Sequence, residues 1–330
     1  MPSMKITVVM GGPSGEHDIS LQSGQGVAAA LGRRGFLVEP VVIPRTPNLA
    51  QACEVTRAAL MRAHPDVVFI ALHGAFGEDG TIQRLCDERH LAYTGSDPLA
   101  SRLGMDKVAS RRRFSAAGLT VPPCEVVDMS AGATPLTHRS YPVVVKPASQ
   151  GSSLGVSIVQ RPEELDSALA EAARYDQTVL IEEFIRGREL TVGVLGDQPL
   201  PVIEIRPRQP FFDFTAKYTP GLTDYLVPAP LEPTIARMVQ AAAMRAHEAL
   251  GCRHLSRTDL ILTPPHIPVI LEVNTIPGFT PTSLLPKAAA CLGLSYEEVC
   301  ERLVHLAWSD HARGSPPLHE SVATTSPSHV

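Results

Sequence analysis

Over its first third, this 330-residue chain alternates two hydrophobic rhythms. Short apolar runs at 5–10, 37–43 and 67–72 are each followed by a stretch of helical periodicity, near 20–32, 48–63 and 79–89. That order predicts a parallel sheet with crossover helices. The loops after the first and third runs, Gly11–His17 and His73–Gly80, then lie at the carboxyl ends of strands. Open α/β sheets take their ligands there.

A helical segment at 97–117 ends on Gly118, and apolar runs at 124–127, 142–147, 154–159 and 178–184 predict short strands around a helix at 162–173. This reads as a small α+β unit. Further strands are expected at 189–195 and 200–206, followed by an aromatic, proline-rich loop from 207 to 228. A helix at 233–250 has Pro233 near its start and Gly251 just past its end, and Ile235, Met238, Val239, Ala242 and Ala249 mark its buried stripe. Two closing helices are expected at about 282–291 and 295–308. From about Ser309 the chain is rich in Ser, Thr, Pro and His without apolar periodicity, which predicts a disordered tail. No internal repeat is visible.

Two apolar runs near the end, Arg257–Leu262 and Pro268–Asn274, flank the breaker-rich turn at 263–267. Folded as a hairpin, they set Asp259 opposite Glu272 and Arg257 opposite Asn274. Side chains alternate faces with period two, so all four share one surface. Two carboxylates so close repel unless a cation lies between them, and hard oxygen donors without His or Cys favour Mg²⁺ completed by phosphates. A solvated sheet face would show the same pattern.

Composition narrows the classes. At 44% hydrophobic and 19% charged residues the chain is a soluble globular protein, long enough for two or three domains. A net charge of −5 gives no footprint for nucleic acid, and Arg111–Arg113 reads as a solvated helix face. The six cysteines have no C-x-x-C pair and read as small buried residues in a reducing compartment. No apolar run reaches the ~18 residues of a membrane helix, and Lys5–Met10 is too short for a signal segment. A cytoplasmic protein without membrane partners is expected.

The remaining motifs each carry two readings. Gly11–Gly15 is neither a dinucleotide fingerprint nor a P-loop, which disfavours both of those classes. Glu16 beside it can bind a ligand or merely complement a helix dipole. Gln150–Gly155 is a glycine-serine loop suited to phosphate oxygens, or an ordinary hairpin turn. Lys146 ends an apolar strand, where a buried ammonium needs an anion such as a phosphate. Lys107 on its own reads as surface. Ile181–Ile185 and Gly187–Glu189 can face an adenine and a ribose or simply connect domains. Lys217 and Tyr218 sit in a lid-like loop. Gly278 permits close approach of a backbone N–H, and Ser283 is placed at a helix N-terminus.

Taken in order, GGPSGEHDIS, LHGAFGEDG, MDK, VVKPASQGSSLG, LIEEF, GRE, AKY, RTD and LEVNTIPGFTPTS resemble the D-alanine–D-alanine ligase family of the ATP-grasp superfamily, over residues 4–308. The resemblance implies a Rossmann-like parallel-sheet domain at 1–96, a central ATP-grasp lobe with the serine loop at 97–188, a C-terminal lobe with lid and metal hairpin at 189–308, and the tail at 309–330. It implies ATP held by Lys107, Lys146, Glu182, Ile185, Glu189 and Lys217, and two Mg²⁺ (or Mn²⁺) ions held by Asp259, Glu272 and Asn274. Glu16, His73, Ser283 and Leu284 would bind D-alanine. Arg257 and the Gly278 N–H would form an oxyanion site, with Ser152 and Tyr218 serving the second D-alanine. A departure is Gln150, where many relatives carry Glu, so lid polarity is open to change.

The chemistry so implied is ATP-driven formation of D-alanyl phosphate and its aminolysis to D-alanyl-D-alanine, a peptidoglycan precursor, by a homodimer. A sister ligase using D-lactate, D-serine or another amino acid as acceptor shares every ATP and metal residue. A silent nucleotide-binding regulator would not need the complete lysine and carboxylate set.

Overall fold

A computed structural model of the chain describes residues 4–131, 140–151, 154–207, 223–264 and 266–314. It opens with β1 (Lys5–Gly11), α1 (His17–Arg33), β2 (Leu37–Ile43), α2 (Leu49–Ala63), β3 (Val67–Ile70), α3 (Thr81–Asp87) and β4 (Ala92–Tyr93). The four strands form one parallel sheet in the order β2-β1-β3-β4, as the alternating pattern predicts, with β4 as a short addition. In β3 and the residues just after it, Val67, Phe69 and Ala71 enter one core cluster while Val68, Ile70 and Leu72 enter another. Both faces are therefore covered, which is why the run is apolar without alternation.

The predicted helix at 97–117 is two helices, α4 (Pro98–Met105) and α5 (Lys107–Ala116). The break has a local cause: Asp106 turns extended, and its carboxylate accepts the backbone N–H of Val108 and Ala109, capping α5. An antiparallel sheet follows in the order β5-β8-β6-β7, from β5 (Cys124–Asp128), β6 (Val143–Pro147), β7 (Ser157–Val159) and β8 (Thr178–Glu183). One face is packed by α6 (Leu165–Ala173), whose first predicted turn is 3₁₀ at Pro162–Glu164.

The third sheet runs β12-β11-β9-β13-β14, with β10 beside β9. Its strands are β9 (Arg188–Leu195), β10 (Gln198–Pro199), β11 (Ile203–Pro207), β12 (Thr223–Leu226), β13 (Leu255–Leu262) and β14 (Pro268–Asn274). Against it lies α7 (Pro233–Leu250), with proline at its start and Gly251 left-handed at φ 73°, the boundaries read from sequence. Its buried face is Val239, Ala242, Ala243, Ala246, His247 and Leu250, with Ile235, Met238 and Ala249 packed at the margin.

Helices α8 (Leu284–Ala290) and α9 (Tyr296–Ala312) close the fold. A Ser295–Glu298 capping box starts α9, which extends to Ala312, past the point where the tail was expected. Residues 315–330, the rest of that expected tail, lie outside the described residues. The cysteines are all free, but only Cys86, Cys252 and Cys300 are buried; Cys53 and Cys124 are half-buried and Cys291 is exposed, against the expectation of six buried residues.

The N-terminal sheet and the C-terminal helices share one core. Phe279 is 2% exposed and stacks, tilted, between Phe69 of β3 at 5.8 Å and Tyr296 of α9 at 5.7 Å. The Tyr296 hydroxyl also donates to the Phe279 carbonyl at 2.7 Å. Phe279→Ala is expected to lower the unfolding free energy by about 3–5 kcal/mol in urea titrations. A loss below about 1 kcal/mol, less than a typical core truncation costs, would mean that this junction does not hold the two parts together.

Candidate active site

Strands β13 and β14 pair antiparallel with Arg257 opposite Asn274 and Asp259 opposite Glu272, and the register shifts just after Asp259. The face is not a solvated one. Asp259 is buried: its Oδ1 accepts from Arg257 Nε at 2.9 Å and from the Thr191 hydroxyl at 2.6 Å. Its Oδ2 accepts from Arg257 Nη2 at 2.7 Å and the Asn274 amide at 3.1 Å. Glu272 stands 3.7 Å from the Lys107 ammonium. Each carboxylate is thus matched by a cation, as close like charges require. Among the described residues no group of three or more His, Cys, Asp and Glu could hold a metal ion by itself. Two carboxylates with an amide suit a hard cation that takes its remaining oxygens from water or substrate phosphates.

This face opens into a cleft of about 760 Å³ between the β5–β8 sheet and the third sheet. Lys107, Lys146, Glu182, Ile185, Glu189, Asp259 and Glu272 all line it, so these of the expected nucleotide and metal residues are brought together; Asn274 is not among the lining residues and joins them through its bond to Asp259. Lys107 is buried at the first position of α5, placed there by the Asp106 cap, and its ammonium donates to the Gln150 carbonyl. That contact uses the backbone, so glutamine at 150 leaves it intact.

Lys146 does have the anion that its burial demands: Glu182 Oε2 lies 2.7 Å away. The other oxygen of Glu182 accepts from Arg111 Nη1 at 2.7 Å, and Arg111 also donates to the Pro122 carbonyl. Arg112 and Arg113 are exposed as expected for a solvated face, but Arg111 is not part of it.

The loops after β1 and β3 meet at the other end. Glu16 precedes α1 but makes no side-chain cap bond to it. Gly74 has φ +68°, and a Cβ there would stand 2.7 Å from Glu16 Oε2, so glycine is required. Gly151 of the serine loop approaches the same oxygen, its virtual Cβ at 3.8 Å. His73 is buried; its Nδ1 lies 3.2 Å from the Ile276 carbonyl, which can only accept, so Nδ1 carries the proton. Nε2 then accepts from the Ser23 hydroxyl at 2.9 Å. Burial holds the His73 pKa below its usual value, and the Arg257 charge lowers it further.

Glu78, beside His73 in the loop, accepts the N–H of Gly74 at 2.8 Å and of Ile276 at 3.2 Å. Burial, and then the neighbouring Glu16 charge, push its pKa up to about 8 despite those two bonds. Ser283 begins α8 and its hydroxyl accepts from Thr280 N at 2.9 Å. A Cβ on Gly278 would lie 3.4 Å from that hydroxyl, and Leu284 packs against the shared core. Ser152, Lys217 and Tyr218 lie outside the described residues. Three residues join the site that the motif pattern does not single out. Arg111 follows Lys107 by one helical turn, a spacing that puts both on one face. Glu78 lies in a loop after a strand, and Ser23 carries no signal beyond its helix.

The family model described as D-ala D-ala ligase C-terminus matches residues 114–305, and that of the D-ala D-ala ligase N-terminus matches residues 46–96. The chain belongs to the D-alanine–D-alanine ligase family. It is 46% identical over 303 residues to the D-alanine–D-alanine ligase of Syntrophotalea carbinolica, covering 91% of this chain and 95% of that protein. It is 45% identical to that of Geotalea uraniireducens, over 93% of this chain and 96% of the relative. The crystal structure of the Bacillus anthracis D-alanine–D-alanine ligase complexed with ATP superposes with a TM-score of 0.81 at 29% identity, over 94% of this chain and all of that one. The fold is therefore ATP-grasp, preceded by the parallel-sheet unit, and the chain is an ADP-forming ligase of this family.

The Glu78 carboxyl has a raised pKa, so it adds stability at low pH. Between the ordinary carboxylate range and about pH 8, only the folded chain keeps it protonated. Stability then falls across that window and levels off above it. Glu78→Gln removes this term. Its melting temperature relative to wild type should rise by several degrees between pH 5 and pH 8, read by circular dichroism; a difference independent of pH would show that Glu78 titrates normally.

Proposed function

We propose that this chain joins two D-alanines with ATP, giving D-alanyl-D-alanine, ADP and phosphate. The observation that carries the reading is the convergence on Arg257. His73 and Glu78 from the N-terminal loops feel the charge of its guanidinium, which in turn clamps Asp259 at the end of the two-lysine cleft, and Glu16 bears on the same two residues. An amino-acid site and a polyphosphate site are thereby contiguous. The relatives' activity, at 46% and 45% identity, agrees.

Glu16 accepts the ammonium of the first D-alanine, and the neutral His73 sits beside it. A carboxylate oxygen of this substrate attacks the γ-phosphorus, ADP leaves, and an acyl phosphate forms. Lys107 and Lys146 hold the polyphosphate and offset its charge. Asp259, Glu272 and Asn274 would hold the divalent cations, Mg²⁺ or Mn²⁺, which neutralise charge on the transferring phosphoryl group when bound. The amine of the second D-alanine attacks the acyl carbon; phosphate departs and the amine loses a proton. Arg257 and the Gly278 N–H stabilise the tetrahedral oxyanion, worth ~3–4 kcal/mol for such a donor. Ser152 and Tyr218 orient the second amine, and Ser283 and Leu284 border the substrate. Ile185, Glu189 and Lys217 complete the nucleotide contacts.

The dipeptide feeds peptidoglycan synthesis, and the six free cysteines fit the reducing cytoplasm. No helix among the described residues is long and apolar enough to cross a membrane. The resemblance to the family supports a homodimer.

Phosphate release in the presence of D-alanine, with the dipeptide resolved by mass spectrometry, tests the reading; release without dipeptide, or dependent on D-lactate instead, would overturn it. Glu272→Gln should fold normally by circular dichroism yet keep less than about a hundredth of the turnover, because an amide cannot replace the carboxylate charge. Retention of more than about a tenth, too much for a lost metal ligand, would remove Glu272 from the cation site.

A further inference from the structure

Arg111, Glu182 and Lys146 form a buried charge triad in one wall of the cleft. Their side chains are 11%, 3% and 9% exposed, and each oxygen of Glu182 has its own cation at 2.7 Å. Of the three, Lys146 and Glu182 line the cleft, while Arg111 does not and reaches Glu182 from α5. We propose that Arg111 is a positioning residue for the nucleotide: by holding one oxygen of Glu182, it leaves Lys146 able to exchange that carboxylate for a phosphate.

Lys146 would exchange one anionic partner for another, a role that rests on the reading of this cleft as the nucleotide site. An ammonium paired with a lone buried carboxylate forms a closed neutral pair. Turning that ammonium toward a ligand leaves an uncompensated buried anion, which is strongly unfavourable. With a guanidinium on Oε1, Glu182 stays paired when Lys146 turns away. The triad carries one net positive charge, which suits a polyanion in the cleft.

Arginine fits this task because it stays protonated and its planar fork is fixed in orientation. Here the second arm of the fork donates to the Pro122 carbonyl. Helix α5 thereby supplies two cations to one wall, Lys107 directly and Arg111 through Glu182. A simpler role for Arg111 would be to tether α5 to β8. That tether would support the whole wall, the nucleoside end included, whereas partner exchange concerns phosphate alone.

Dissociation constants for ATP and for adenosine, by displacement of a fluorescent ATP analogue from the full-length protein, separate these roles. Circular dichroism melts on each variant confirm folding. Arg111→Met should weaken ATP about tenfold and adenosine less than about twofold, the usual scale for a charged hydrogen-bonded partner. Arg111→Lys should restore most of the ATP affinity. Lys146→Ala should weaken ATP similarly, and the Arg111→Met/Lys146→Ala double variant no further, since both act in one unit. If Arg111→Met unfolds, Arg111→Gln, which keeps a donor without the charge, is judged by the same criteria. Equal losses for ATP and adenosine would overturn the proposal in favour of the tether. So would unchanged ATP affinity in Arg111→Met where Lys146→Ala weakens it. Unchanged ATP affinity in Lys146→Ala would instead overturn the nucleotide reading of the cleft.

Discussion

Two carboxylates on adjacent strands, Asp259 and Glu272, face each other across a hairpin register and must be kept from repelling. Much of the site follows from that constraint. Arg257, two residues along the same strand, forks onto Asp259, and Thr191 on β9 adds a hydroxyl from the other side. Glu272 has its cation from a different part of the chain, because α5 begins at Lys107. The position of Lys107 depends in turn on Asp106 breaking the preceding helix. A local capping choice in one element therefore sets the charge balance on a hairpin more than 150 residues away.

The second dependency is between the parallel sheet and the loop that leaves β14. His73 and Glu78 follow β3, and they bond the carbonyl and the N–H of Ile276 respectively. Backbone groups of a loop need such partners when they are buried. Phe279, three residues on, fills the core between β3 and α9. The loop after β3 is thus held to the chain leaving the β13–β14 hairpin by both hydrogen bonding and packing. Its charged groups stay within reach of Arg257 without a separate scaffold.

How much of this is legible in the sequence differs with the range of the cause. The hairpin register was legible because period-two alternation and one turn are local, and Asp259 does pair with Glu272. The limits of α7 were legible for the same reason, with proline at one end and Gly251 at the other. The break at Asp106 was not, since the helical pattern continues across it and only the cap bonds reveal the turn. Arg111 reads as solvent-facing in a run of three arginines because its partner Glu182 lies 71 residues away. Glu78 stands within a recognised motif, yet its raised pKa arises from burial and from Glu16, neither of which has a local signature. The nine ordered motifs carried the family, while side chains that act through a distant partner needed the fold.

In the form described, the cleft is closed upon itself: Lys146 on Glu182, Lys107 near Glu272, Arg257 on Asp259. A polyphosphate entering it must replace protein carboxylates as the partners of these cations. Lys107 and Arg257 can change partner only if the carboxylates they leave gain another cation. The hairpin's own four residues carry a single cation, Arg257, which is already on Asp259. Glu182 differs, because Arg111 is already in place. The wall of the cleft that carries Glu182 therefore keeps its charge balance when Lys146 turns to a phosphate, whereas the hairpin, matched one to one in the form described, loses its balance once Lys107 and Arg257 turn away.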